Sequence, residues 1–271
     1  MELDIFQVDA FIRKNSNLFS GNPAAVVPLK QWLPDNLMQA VAAENNLAET
    51  AFFTGTDGHY HIRWFTPTTE VGLCGHATLA SAWVIRNLLG DNNAQLTFST
   101  QETGELSVSE NGAYLQLNFP NYNPVVPDNA AALTEKLEQA LGQKIINIRA
   151  ARDLMVELEN EQAVKACKPD LIRLAEISDY FAVAVTAESE TTGYDFVSRF
   201  FAPRQGIDED PVTGSSFCML APYWQEKLGK NILQAWQCSP RGGDISLTSA
   251  NDRVLIAGNC QLYLKGKIYL P

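Results

Sequence analysis

The chain has 271 residues, 46% of them hydrophobic and 19% charged, with a net charge of −11 at neutral pH. This is the composition of a folded globular protein with room for two domains of ordinary size. The acidic balance without clustered Lys and Arg excludes nucleic acid as a partner, and no apolar run approaches the ~18 residues that cross a bilayer, so no membrane partner is expected. The opening "MELDIFQVDAF" lacks the basic-then-apolar plan of a signal peptide. Five scattered cysteines (Cys74, Cys167, Cys218, Cys238 and Cys260) argue against a disulfide framework, so the chain is read as cytoplasmic and reduced.

In chain order, an alternating strand ("LDIFQVDAFI") leads through a Gly-Asn-Pro turn to a second strand ("AAVVPL"). A helix is predicted after Pro34-Asp35, followed by strands "TAFFTG" and "YHIRWFTP". The loop "EVGLCGHAT" then opens a helix predicted from Ala77 to about Leu89, closed by Gly90. Leu79, Ala80, Ala82, Trp83, Val84 and Ile85 leave that helix no polar face, so it must be buried all round. Hairpin strands fill "QLTFSTQETGELSVSENGAYLQLNFP", and a boundary is placed in the proline-rich "FPNYNPVVPDNAA". Further on, "IDEDPVTGSS" opens a second apolar helix that Pro222 is expected to kink.

The two helix-opening loops belong to an internal repeat. "RWFTPTTEVGLC" from Arg63 is echoed by "RFFAPRQGIDED" from Arg199, an offset of 136 residues that sets Phe65 on Phe201, Pro67 on Pro203 and Cys74 on Asp210. A second echo places Pro34-Asp35 on Pro169-Asp170. The fold class read from this pattern is α+β: two similar, pseudo-symmetric domains, each a barrel-like, mostly antiparallel sheet wrapped around a central helix. The domains are placed at residues 1–120 and 121–256, with the C-terminal strand, about 257–271, assigned to the first.

The candidate chemistry lies in the same loops. Two helix N-termini facing one cleft would make a carboxylate site, with Gly75 and Gly214 allowing close backbone approach. Cys74 and His76 suggest a thiol and its base, but side chains two residues apart point different ways, so a direct hydrogen bond between them is not expected. Asp210 in an acidic run and Glu49 in "NNLAETAFF" each read, alone, as exposed carboxylates. His59 and His61 share a strand face without further ligands, so no metal is expected. No dinucleotide fingerprint, P-loop or Gly-x-Ser-x-Gly is present, so no organic cofactor is expected.

"SGNPAAVV", "ENNLAETAFF", "FTPTTEVGLCGHAT" and "DEDPVTGSS", in this order, resemble the PhzF-type isomerases of phenazine biosynthesis and, more widely, the diaminopimelate-epimerase-like fold. The resemblance covers the whole chain. It implies an active site between the two domains, cofactor-free chemistry and a homodimer. It also implies Glu49 as proton shuttle, His76, Asp210 and Ser215 as supporting polar groups, Gly75 and Gly214 as holders of a substrate carboxylate, and Asn22 at the border of the site. The epimerases carry cysteines at both symmetric positions, whereas this chain pairs Cys74 with Asp210. The phenazine-pathway members also differ from it at Cys74 and Ala77.

Three functions follow as expectations. The first is a cofactor-independent isomerase moving a proton on a small carboxylic acid. The second is an amino- or imino-acid epimerase, racemase or dehydratase using Cys74 and Asp210 as unlike bases. The third is a non-catalytic binding protein that keeps the fold.

Overall fold

A computed structural model describes residues 1–14, 16, 18–250 and 252–270. Pro271, the last residue of the expected C-terminal strand, lies outside the described residues. In chain order the first elements are β1 (Glu2–Ala10), β2 (Asn22–Pro28), α1 (Asp35–Asn45), β3 (Glu49–Thr56), β4 (His59–Phe65), β5 (Glu70–Val71), α2 (Gly75–Asn87), β6 (Gln95–Ser99), β7 (Glu105–Asn111) and β8 (Tyr114–Pro120). They are followed by α3 (Ala130–Leu141), β9 (Ile145–Ala150), β10 (Leu154–Leu158), α4 (Glu161–Ala166), α5 (Leu171–Ala175), β11 (Val183–Glu188), β12 (Phe196–Ala202) and β13 (Ile207–Asp210). The last elements are α6 (Phe217–Leu228), β14 (Ile232–Gln237), β15 (Gly243–Ala250), β16 (Arg253–Gly258) and β17 (Cys260–Tyr269). Among the described residues no helix is long and apolar enough to cross a membrane.

The chain divides into two compact units, Met1–Phe119 with Leu255–Pro271, and Pro120–Val254. In the first, β17, β1 and β2 pair antiparallel, β2 and β3 run parallel, and β4 lies antiparallel to β3 and β5 and parallel to β6. β6, β7 and β8 form a meander. The second unit repeats the pairing scheme of β1 to β7. β9 and β10 are antiparallel, β10 and β11 parallel, and β12 lies antiparallel to β11 and β13 and parallel to β14, which pairs with β15. Each is a mixed, mainly antiparallel sheet curled around one helix, α2 in the first unit and α6 in the second.

α2 packs against β1, β2 and β3, and its residues Gly75 to Ala82 are all buried. It runs from Gly75 to Asn87, two residues short of the expected end. Gly90 still does the work of reversal: at φ +78 it returns the Asp91 N–H to the Ile85 carbonyl at 3.2 Å. Outside the sheet, α1 covers Val27, Phe52 and Phe65 through Met38, Val41 and Ala42. In the second unit that place falls to two short helices, α4 and α5. Asp170 caps α5 by accepting from the N–H groups of Ile172 and Arg173, whereas Asp35, its echo, binds Arg63 instead.

α6 continues through Pro222 instead of breaking there. The proline has no N–H, so the Cys218 carbonyl four residues back loses its intrahelical donor. The backbone N–H of Tyr122 donates to that carbonyl at 2.9 Å. Phe196 stacks on Trp224 of this helix with centroids 5.4 Å apart.

A matched ion pair anchors the short strand ahead of each central helix. Arg63 on β4 grips Glu70 of β5 with two bonds of 2.7 and 2.6 Å, and Arg199 on β12 grips Glu209 of β13 at 2.7 and 2.8 Å. Arg199 also donates to the Cys167 carbonyl at 2.6 Å. These pairs refine the repeat. Arg63 and Arg199 are 136 residues apart but Glu70 and Glu209 are 139 apart, so the second unit carries three extra residues, which include a 3-10 turn at Pro203–Gln205. Register agrees, since Trp64 faces Val71 and Phe200 faces Asp210. Asp210 is therefore the counterpart of Val71. Cys74, the residue before α2, corresponds to Thr213, not Asp210 as the uniform offset suggested.

Removing one partner of a buried ion pair costs ~3–5 kcal/mol, and residual exposure of Glu209 lowers the expected loss to about 2 kcal/mol for Arg199→Met. Arg199→Lys should recover little of it, because an ammonium cannot reproduce the two-pronged grip. Urea denaturation of the three proteins checks both outcomes.

Candidate functional site

In the first unit, three chain segments bring four polar side chains together. Gly21, at φ +77, turns the chain into β2, and a Cβ there would stand 2.4 Å from the Ala10 carbonyl oxygen, so only glycine fits. The turn sets Asn22 at the start of β2, fully buried beside β1. Glu49 opens β3, with Ala24 of the parallel strand β2 as its neighbour. Cys74 precedes α2 in extended conformation (φ −140, ψ 111), and His76 lies in the first turn of the helix.

Glu49 is 9% exposed, not the solvated carboxylate its type suggests, and His76 is 3% exposed. His76 Nε2 stands 3.1 Å from Glu49 Oε2, although the approach misses hydrogen-bond alignment, and neither atom has another well-aligned partner among the described residues. On the other side of the ring, Nδ1 contacts the Asn22 amide nitrogen at 3.1 Å and Cys74 Sγ at 3.6 Å. The contact with Cys74 corrects the expectation that these two side chains diverge. Cys74 occupies the N-cap position, whose side chain folds back over the first helical turn, where residue 76 begins.

Burial opposes charge on the His76 ring, but the neighbouring Cys74 and Glu49 more than offset it and hold the imidazole well above the usual histidine range. Of the two, the carboxylate is the effective partner, because Cys74 stays neutral. Burial first, and the Glu49 charge second, push its thiol up to about 11. Cys74 is therefore a poor thiolate base at neutral pH. One carboxylate oxygen, one sulfur and one ring nitrogen of Glu49, Cys74 and His76 lie within 4.8 Å of one another, the donor set of a borderline-soft metal ion.

The second unit carries its own polar cluster. Asp210, 7% exposed, accepts from Thr213 Oγ1 at 2.5 Å. Gln237 ties the same turn by donating to the Asp210 carbonyl at 2.8 Å and accepting from the Thr213 N–H at 2.8 Å. Asp210 is thus clamped across its own turn. Gly214 begins a 3-10 turn that runs into α6, and Ser215 behind it is buried. Ser215 Oγ accepts from Arg152 Nη2 at 3.1 Å. Arg152 is held by Asp153 at 3.1 Å and by the Phe181 ring at 4.5 Å, while burial raises the Asp153 carboxyl against the pull of Arg152. Sequence reasoning missed Thr213, Gln237 and Arg152. Thr213 was visible only through the corrected offset, and Gln237 and Arg152 come from distant strands and loops with no local signature.

The family model "Phenazine biosynthesis-like protein" matches residues 8–266. The chain belongs to the PhzC-PhzF family. It is 46% identical to an uncharacterized isomerase of Pseudomonas aeruginosa, with 100% of both chains covered. A PhzF-family crystal structure from Enterococcus faecalis is 41% identical, with a TM-score of 0.92 and 100% of both chains covered. At 9% identity and a TM-score of 0.57, a hydroxyproline epimerase from Agrobacterium vitis shares the fold alone; the match covers 98% of this PhzF-family chain and 92% of the epimerase.

A group whose folded pKa is raised adds stability that is complete below its unfolded value, ~6.5 for histidine, and lost as pH rises through the folded value. Unfolding free energy should accordingly fall between pH 6.5 and the alkaline range. Glu49→Gln should flatten that fall, and chemical denaturation across pH measures it.

Proposed function

We propose that this PhzF-family protein is a cofactor-independent isomerase that moves a proton on a small carboxylic acid, with Glu49 as the base. The observation that carries this reading is the buried Glu49–His76 contact at 3.1 Å. A carboxylate taken out of water beside an imidazole can accept a proton from an activated carbon and return it elsewhere. His76, oriented through Nδ1 by Asn22, fixes the position of the carboxylate and offsets its charge. The first-turn N–H groups of α2 at Gly75, left without intrahelical partners, suit a substrate carboxylate. The 3-10 turn at Gly214 and Ser215 offers the second unit's counterpart of that anion-binding turn. Asp210 serves by holding its turn in shape, consistent with its bond to Thr213. The relatives' name of isomerase agrees with this reading.

The alternative with Cys74 and Asp210 as paired bases is less favoured. The thiol is held at about 11, and the two residues are not counterparts in the repeat.

The test is solvent deuterium incorporation into a panel of small unsaturated and amino carboxylic acids, followed by NMR. Wild type should exchange one carbon-bound position of its substrate. Glu49→Gln should slow that exchange by ~10²–10⁴-fold with ligand affinity kept, whereas Cys74→Ala should retain most of it. Wild-type exchange in Glu49→Gln would overturn the assignment.

A further inference from the structure

The turn that opens the second unit's central helix carries donors with no acceptor among the described residues. Because Cys74 corresponds to Thr213, His76, two places on, corresponds to Ser215. In the first unit the β1–β2 turn brings Asn22 to His76 at 3.1 Å. In the second the β9–β10 turn brings Arg152 to Ser215 at 3.1 Å. The third member of the first cluster has no such echo. Thr50 faces Phe65 and Val183 faces Phe201, so the place of Glu49 is taken by Ala182. A helix start that meets a built-in carboxylate in one unit therefore meets a guanidinium and a methyl group in the other. We infer that Arg152 and Ser215 bind the carboxylate of a small carboxylic acid, which supplies in the second unit the group that Glu49 supplies in the first. That this acid is the substrate rests on the proposed function; its binding does not.

Hydrogen-bond accounting fixes the polarity of the ligand. Arg152 Nε and Nη2 donate to Asp153 at 3.3 and 3.1 Å, and Nη2 also donates to Ser215 Oγ. Both Nη1 hydrogens are left without a partner among the described residues. Ser215 Oγ accepts its bond, so its own hydrogen still needs an acceptor, in a residue only 8% exposed. Uncommitted N–H and O–H groups side by side suit an oxyanion, one oxygen for Nη1 and one for the hydroxyl. The Arg152 side chain is 32% exposed, so a solute can reach it. It is also held in advance. The Phe181 ring lies 4.5 Å from the guanidinium, and the Phe181 N–H donates to the Arg152 carbonyl at 3.1 Å, so binding has little left to order. Positive charge is concentrated here in a chain of net charge −11. Burial pushes the Cys218 thiol, in the first turn of α6, up to about 12, and both Arg152 and Arg253 pull against that rise. Asp153 sets the limit. Buried on the other edge of Arg152, it cancels much of the guanidinium charge, so a singly charged carboxylate fits better than a doubly charged phosphate.

The test is calorimetry of the full-length protein with small unsaturated and amino carboxylic acids, each beside its primary amide. An acid of the panel should bind, and its amide at least ~10-fold more weakly. Arg152→Met keeps an apolar stem over Phe181 without the charge, and should weaken the acid by ~10–100-fold, to the level of the amide. Arg152→Lys should recover part of that loss, because the charge returns without the planar fork. Asp153→Asn removes the competing charge and should tighten the acid by ~3–10-fold, a gain that damage to the fold cannot produce. Arg173→Met, at an exposed cation of the same unit, should bind as wild type does. An amide bound as tightly as its acid would overturn the proposal, as would an acid that binds Arg152→Met and wild type alike. So would a panel in which no acid binds. Should Arg152→Met fail to fold, Asp153→Asn decides, and the absence of any gain there counts against the site. Affinity is read without turnover, so this site and the Glu49 proton transfer can fail separately.

Discussion

A helix enclosed by its own sheet sets the terms for everything else in this molecule. Such a helix must be apolar around its circumference, and the polarity it cannot avoid is concentrated at its ends. At the N-terminal end of α2, Cys74, Gly75 and His76 are all buried, so any charge there must be answered locally. Glu49 answers it from the start of β3 and Asn22 from the start of β2. The site is thus a product of the architecture. Two strands and one helix start at the same place, and the buried polar side chains lie at or beside those starts.

The two units meet this constraint with different chemistry on one scaffold. Both use an arginine gripping a glutamate to pin the short strand before the helix. Beyond that point the first unit holds an imidazole and a carboxylate in contact, and the second a carboxylate locked to a threonine and a serine held by Arg152. A shared frame with unlike contents agrees with the proposed function, in which one half carries the proton-transferring pair and the other carries shape.

The repeat, the fold class and most of the strands were legible in the sequence because they are written in local patterns: alternation, apolar helices, and glycine or proline at turns. Glu49 was legible only through resemblance, since its burial depends on β2 and β3 lying side by side across the 20 residues between those strands. The Cys74–His76 contact was misjudged because helical side-chain geometry was applied to a residue that is not yet helical. Asp210 was matched to the wrong residue because a three-residue insertion lies between the arginine and the loop, and a single offset cannot see it. Gln237 and Arg152 reach their partners from far along the chain, where no sequence window registers them.

Pro222 leaves α6 with a carbonyl that the helix cannot satisfy, and the segment entering the second unit satisfies it through Tyr122. Closure of this helix and docking of that segment are therefore one event in folding. A C-terminal fragment cut after residue 122 would contain every residue of α6 and still carry an orphaned acceptor in its core, at a cost of ~1–3 kcal/mol. For this half of the chain, the edge of the foldable piece is fixed by a hydrogen bond missing from the middle of a helix a hundred residues away.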